Sequence, residues 1–234
     1  DSVAAVGVVN QLLSLVFLVF GVSTVGTSVL CSQYLGASQQ ANVRQVIGVS
    51  LFFNTLIGMI TSAFLYFRAE ALLKMMDLAP GLINEGLAYM QIVGGFAFLQ
   101  AIALTMSAVL RSHNKAYYPM RVTLLMNVLN IIGNYALIFG KFGLPQMGVV
   151  GAAISTSSCR LVALALLLYI TFGKVVPRFS FSCLRPFPWD KLKNLLHIGL
   201  PAAGEQVSYS LSQVVITYFT VMLGTAALTA RTYA

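Results

Sequence analysis

Charge is scarce in this sequence. Only 9% of its 234 residues are Asp, Glu, Lys or Arg, against roughly 25% in soluble domains. With 58% hydrophobic residues, that deficit argues against a soluble globular fold. Acids are the scarcer sign, giving a formal net charge of +8. The basic residues sit in short loops between apolar runs, so they suit anionic headgroups and not nucleic acid. Cysteine is sparse as well: Cys31, Cys159 and Cys183 lie far apart and form no CxxC, which excludes a zinc site and a disulfide framework. The two histidines, His113 and His197, border loops and read as interfacial rather than catalytic. Enzyme signatures are missing. Gly21-Val22-Ser23-Thr24-Val25-Gly26 has the wrong spacing for a nucleophile elbow, and no paired carboxylates or phosphate-cradling loop occur. The sequence does not begin with Met, and its first helix is expected to be no signal peptide, being far too long for an h-region. Asp1 precedes a helix directly and Ala234 stands inside another, so the chain reads as a piece of a larger protein.

What is there in quantity is hydrocarbon. Apolar runs near the ~20 residues that span a bilayer recur along the whole length. They are continuous rather than alternating, which predicts an all-α integral membrane protein, a polytopic helical bundle. Six full transmembrane helices are expected, over about 3–34, 43–67, 83–110, 118–139, 149–172 and 195–223, with the start of a seventh. Arg44, Arg111, Lys115, Arg121, Lys174, Arg178, Arg185, Lys191 and Lys193 share one side. Arg68, Lys74 and Lys141 hold the other, near Glu70, Asp77 and Glu85. The richer side is therefore expected to be cytoplasmic, with Trp189 at the headgroup boundary. Ser2-Val3-Ala4-Ala5-Val6 also resembles Thr225-Ala226-Ala227-Leu228, a faint repeat that would fit two similar halves.

Polar residues within the runs carry the functional signal. Asn127, Asn130 and Asn134 are spaced i, i+3, i+7 and fall on one helix face. Amides in hydrocarbon are costly unless partnered, so that face points to a polar interior or a water-filled path. Asn130 and Asn134 direct two oxygens at one spot, and Thr156 could add a hydroxyl from the next helix, the hard ligands a Na⁺ ion prefers. The same asparagines could instead only tie helices together, at ~0.6–2 kcal/mol per contact. Glu205, four residues after Pro201, stands well inside a helix, where it could exchange protons or attract a cationic substrate, or pair with linker lysines. Arg160, mid-helix, needs a partner or a wet path and reads as a tie between helices. Gln33, Gln206 and Tyr209 are candidate cavity residues, each equally able to make one helix-to-helix hydrogen bond.

Four segments, in order, resemble the MATE (multidrug and toxic compound extrusion) family. They are Ser32-Gln33-Tyr34-Leu35-Gly36-Ala37, then Asn127 to Gly140, then Gly143 to Thr156 with its Gly148 and Gly151, then Ile198-Gly199-Leu200-Pro201. The resemblance covers essentially the whole chain. It implies a twelve-helix, two-lobe exporter of which this chain holds helices two to six (1–172), a basic cytoplasmic linker (173–194) and the start of the second lobe (195–234). The family's first helix and its common Asp are absent. A multi-pass protein of the inner membrane, monomeric when complete, is implied. It would expel amphiphilic or cationic small molecules by Na⁺ or H⁺ antiport and alternating access, with no cofactor beyond the coupling ion. The residues corresponding to Asn130, Asn134 and Thr156 belong to a cation site in the family, the one place where Na⁺ is implied. Some archaeal members have a second Asp at the position of Asn134, so the site here carries less negative charge. Some members also bear a helix-seven Glu, further along than Glu205. Two other readings stay open: a lipid-linked oligosaccharide flippase of related fold, and a membrane structural or receptor subunit without transport.

Overall fold

The computed structural model describes residues 2–76, 83–141, 143, 145–177, 179, 184–185 and 187–222. Asp77, Arg178, Cys183, Arg231, the second copy of the faint repeat and the expected seventh helix lie outside the described residues. Within them every regular element is helical: α1 (Ser2–Gly36), α2 (Gln40–Phe67), α3 (Ala69–Met75), α4 (Ile83–Gly95), α5 (Ala97–Ser112), α6 (Tyr117–Phe139), α7 (Gly148–Ile170) and α8 (Trp189–Met222). Apolar runs of this length become helices because hydrocarbon offers backbone N–H and C=O no partner except each other.

Four of these helices, α1, α2, α6 and α7, are long and apolar enough to cross a membrane, and α4 with α5 makes a fifth, bent span. The sixth predicted span differs. α8 is a helix of 34 residues, yet its described part falls short on apolarity, because Gly204, Glu205, Gln206 and Ser208 interrupt it. A second difference lies at Phe96, where the predicted single helix bends by 43° between α4 and α5. The break frees backbone donors of the first turn of α5. The Phe98 N–H donates to Ser62 Oγ on α2 at 3.0 Å, so a neighbouring helix satisfies one of them. Two smaller elements were not expected: the short helix α3, and a π-helical turn over Thr171–Val175 that extends α7. On α3, Glu70 and Lys74 form an i,i+4 ion pair at 2.7 Å. The hydrogen bond from the Lys74 ammonium, then its charge, hold the Glu70 carboxyl below its ordinary range. Both groups are exposed, so the pair contributes little.

α1 sits at the centre, packed on α2, α5 and α8. Its glycines make the approach close. A Cβ on Gly26 would strike the Leu195 carbonyl of α8, and one on Gly199 would strike the Val22 carbonyl of α1. Polar ties fix the other faces: the Thr27 hydroxyl donates to Ser50 Oγ at 2.7 Å, joining α1 to α2. Asn54 Nδ2 donates to Thr105 Oγ1, joining α2 to α5. Around them lie two apolar clusters. One is centred on Cys31, Val46, Ile47 and Met106, the other on Val9, Leu13, Leu65 and Met90. α6 lies outermost, packed chiefly on α7, with Leu124, Val128, Ile131 and Tyr135 exposed as a lipid-facing surface would require.

Candidate functional site

The site begins at the turn between α6 and α7. Gly140 ends α6 in the left-handed region, at φ 65°, with its N–H on the Ala136 carbonyl, a conformation that costs glycine nothing. The chain then folds back, and the Met147 N–H donates to the Leu137 carbonyl at 3.0 Å. One turn deeper the helices touch through glycines. A Cβ on Gly151 would stand 2.6 Å from the Leu137 oxygen, and one on Gly133 2.5 Å from Ser155 Oγ. That close crossing sets Asn130 level with Thr156.

Three predicted residues are thereby brought together. Asn134 Nδ2 donates to Asn130 Oδ1 at 3.0 Å, and Asn130 Nδ2 donates to Thr156 Oγ1 at 3.4 Å. Ser155 Oγ reaches the Asn130 backbone carbonyl at 3.5 Å. The donors of this chain point inward along it, which leaves the Asn134 Oδ1 buried and without a hydrogen-bond partner among the described residues. A buried carbonyl oxygen left open in this way is a ready acceptor for a cation or a water. None of the three side chains titrates, so the trio can ligate a cation but cannot itself carry a proton.

The trio opens on a cavity of about 1360 Å³ walled by α1, α4, α5, α6 and α7. Asn127 lines it, and so does Arg160. Arg160 Nη1 donates to the Val93 carbonyl of α4 at 3.4 Å, and the guanidinium lies over the Phe17 ring of α1, 5.2 Å from its centre. Arg160 thus reaches from α7 to α4, and it also faces the cavity.

Four candidates lie elsewhere. Gln33 is exposed at the end of α1, and none of Gln33, Glu205, Gln206 and Tyr209 lines this cavity. Glu205 stands inside α8, as expected, and is exposed among the described residues. The reason is the way α8 packs: it is pressed against α1 through Leu195 and Gly199, and Glu205 comes after Pro201, where Gly204 to Tyr209 are all exposed. Conversely, the cavity holds residues that spacing along the sequence does not single out. Glu85 lines it from the first turn of α4, with its Oε2 buried and unpartnered among the described residues. Asn10 and Tyr89 line it too, with the Tyr89 hydroxyl donating to Asn10 Oδ1 at 3.3 Å. Asn10 carried a signal, as an amide within the most apolar helix. Glu85 carried none, because it reads as a loop acid beside Asp77.

Comparison with known proteins identifies the family. The MatE family model matches residues 1–136. An uncharacterized transporter, YisQ of Bacillus subtilis, is 42% identical over 233 residues, covering 100% of this chain and 51% of that protein. A probable multidrug resistance protein NorM of Thermotoga maritima is 31% identical, covering 89% of this chain and 45% of its own length. A multidrug resistance MATE family transporter of the MOP superfamily, solved in an inward-facing conformation, is 26% identical. It superposes with a TM-score of 0.76 over 90% of this chain and 47% of that one. A MATE crystal structure in the bent conformation shares the fold at a TM-score of 0.82, over 95% of this chain and 49% of that chain, at 23% identity. The chain thus spans about half the length of the curated relatives it matches. With its apolar spans, its glycine-packed α6–α7 pair and relatives along its whole length, it belongs to the MatE family of multi-pass membrane transporters.

Proposed function

We propose that the protein is a secondary active exporter of amphiphilic drugs, in which a cation bound at Asn130, Asn134 and Thr156 drives alternating access. The observation that carries this reading is the open Asn134 Oδ1, buried at the edge of a cavity large enough for a drug-sized molecule. Relatives named as multidrug resistance proteins support the substrate class. Na⁺ is favoured over H⁺ at this trio, because amide and hydroxyl oxygens are hard ligands that cannot be protonated in the physiological range. Three neutral oxygens are fewer than a Na⁺ ion takes, so water or a further protein oxygen would complete its shell. Proton coupling would have to run through a carboxylate, and among the described residues Glu85 is the one that faces the same space.

The flippase reading is less well supported. A pyrophosphate would call for a cluster of cations, whereas the cavity sets Arg111 and Arg160 against Glu85. The decisive measurement is efflux of a cationic dye by the full-length protein in a pump-deficient host, with Na⁺ and pH gradients imposed separately. Efflux should follow the Na⁺ gradient, and Asn130→Ala should flatten that dependence while dye binding persists. Efflux that ignores Na⁺ in wild type and variant alike would overturn the assignment of the trio. No efflux under either gradient would return the non-transporting reading.

A further inference from the structure

The turn between α5 and α6 gathers cations that no acid meets. Lys115 and Arg121 are exposed there, and both lie against one ring. The Lys115 ammonium is 5.9 Å and the Arg121 guanidinium 5.4 Å from the centre of Tyr117. A tyrosine face attracts cations without neutralising them. Among the described residues, neither side chain has a carboxylate within ion-pair distance. The turn is well tied. Asn114 takes the left-handed conformation at φ 61°. The Lys115 N–H donates to the Leu110 carbonyl at 2.9 Å, and the Tyr118 N–H donates to the Lys115 carbonyl at 3.1 Å. Tyr118 packs on the apolar core, and its ring centre lies 4.2 Å from that of Tyr117, so the exposed ring has a fixed base.

Below the cations runs an apolar strip. Tyr117, Arg121, Leu124, Val128 and Ile131 recur at helical spacing and share one side of α6. Leu124, Val128 and Ile131 are 66%, 48% and 69% exposed. The contacts of α6 with α7 are made on another face, through Gly133 and Leu137. From Arg121 to Ile131 the helix rises about 15 Å, half of a ~30 Å hydrocarbon core. Cations, ring and strip together therefore match the depth of one leaflet.

We propose that this side of α6 holds one anionic glycerophospholipid, its phosphate between Lys115 and Arg121 and an acyl chain along Leu124, Val128 and Ile131. Charge decides between this occupant and a second copy of the chain. Copies in one membrane share an orientation, so strip packed on strip would bring Arg121 to Arg121. No acid on α6 would separate them. A zwitterionic lipid carries its own cation, which competes with the two side chains for the phosphate. A lipid of net negative charge leaves its phosphate to them. Binding here needs no transport cycle.

The test is native mass spectrometry of the full-length protein, stripped of lipid in detergent and titrated with dioleoyl phosphatidylglycerol or dioleoyl phosphatidylcholine. Wild type should take up one phosphatidylglycerol at least about tenfold more tightly than phosphatidylcholine. Lys115→Gln combined with Arg121→Gln should abolish that preference. Unchanged phosphatidylcholine affinity in the double variant shows that it is folded. Removing two charges at the other end of the bundle, by Arg68→Gln with Lys141→Gln, should leave the preference intact. Arg121→Lys should keep most of it. Glycerol 3-phosphate, a phosphate ester without acyl chains, should displace no lipid.

Equal affinity of wild type for the two lipids would overturn the proposal. So would a preference that survives the Lys115 and Arg121 changes, or one lost equally when Arg68 and Lys141 change, the result of net charge alone. Displacement by glycerol 3-phosphate would make a soluble phosphate ester the ligand and remove the lipid. Uptake of neither lipid, the result expected if a second copy or another helix of the full-length protein covers the strip, would overturn it too.

Discussion

At the scale of single residues, the site depends on two glycines as much as on its amides. Gly151 lets the α7 backbone lie against the Leu137 carbonyl, and Gly133 makes room for Ser155. Any side chain at 151 must push α6 away, because the atom it meets is backbone and cannot rotate aside. Gly151→Ala is therefore expected to cost about 1–3 kcal/mol, the usual range for overpacking, and to lengthen the Asn130–Thr156 hydrogen bond. Thermal unfolding in detergent should show a lower midpoint, and Na⁺-dependent protection against unfolding should weaken. Gly36→Ala is the matched control. A Cβ there meets nothing within 4 Å and the residue closes α1, so the change should leave the midpoint unchanged or slightly higher. Equal losses in the two variants would remove the claim that the α6–α7 crossing sets the site.

At the scale of elements, the start of α8 is clamped to α1 and α2. Leu195 and Gly199 cross α1 at Gly26 and Val22. Lys191 donates to the Tyr34 hydroxyl at 2.9 Å, with its ammonium 4.2 Å from the centre of the same ring. Nearby, Phe187 meets both Trp189 and Phe52 of α2 in edge-to-face contacts. Gly199→Val should release this end, because the added atoms collide with the Val22 carbonyl. Hydrogen exchange of the amides around residue 195 should then rise, while those of α6 stay protected; unchanged exchange at 195 would count against the clamp. Much at this scale was legible in the sequence. The order and lengths of α1, α2, α6 and α7 follow from apolar runs that have no alternative to helix in lipid. Asn130 and Asn134 sit one turn apart, and Thr156 belongs to the next helix in the chain, so their meeting needs only a hairpin. The bend at Phe96 was signalled by Gly94 and Gly95 just before it, but two glycines in a membrane helix serve packing as often as bending. Gly94 does pack, against Leu65. The omission of Glu85 has a physical cause. Whether a carboxylate is buried depends on which helix lies across from it, and periodicity along one helix does not encode its neighbours.

At the scale of the whole molecule, the charge distribution predicts which way the bundle sits. The helices run alternately, so the ends of α1 and α5, the starts of α2, α6 and α8, and the π-helical turn fall on one side. Arg44, Arg111, Lys115, Arg121, Lys174, Arg185, Lys191 and Lys193 lie at those ends. The other side has Arg68, Lys74 and Lys141, of which Lys74 is already paired with Glu70. Each basic residue near an anionic leaflet contributes about 1 kcal/mol, so the imbalance strongly favours one orientation. Tyr117 strengthens the anchor at the start of α6: the Arg121 guanidinium lies 5.4 Å and the Lys115 ammonium 5.9 Å from its ring centre, an aromatic and basic grouping suited to headgroups. On that orientation Glu85, on the sparsely charged side, is expected at the outer mouth of the cavity. A membrane-impermeant maleimide applied to whole cells should label a cysteine at Lys141 and leave one at Lys115 untouched, in a background with Cys31, Cys159 and Cys183 replaced. Permeabilised cells should label both. The reverse pattern would invert the protein and place Glu85 at the cytoplasmic mouth, while the ion gradient would still set the direction of antiport.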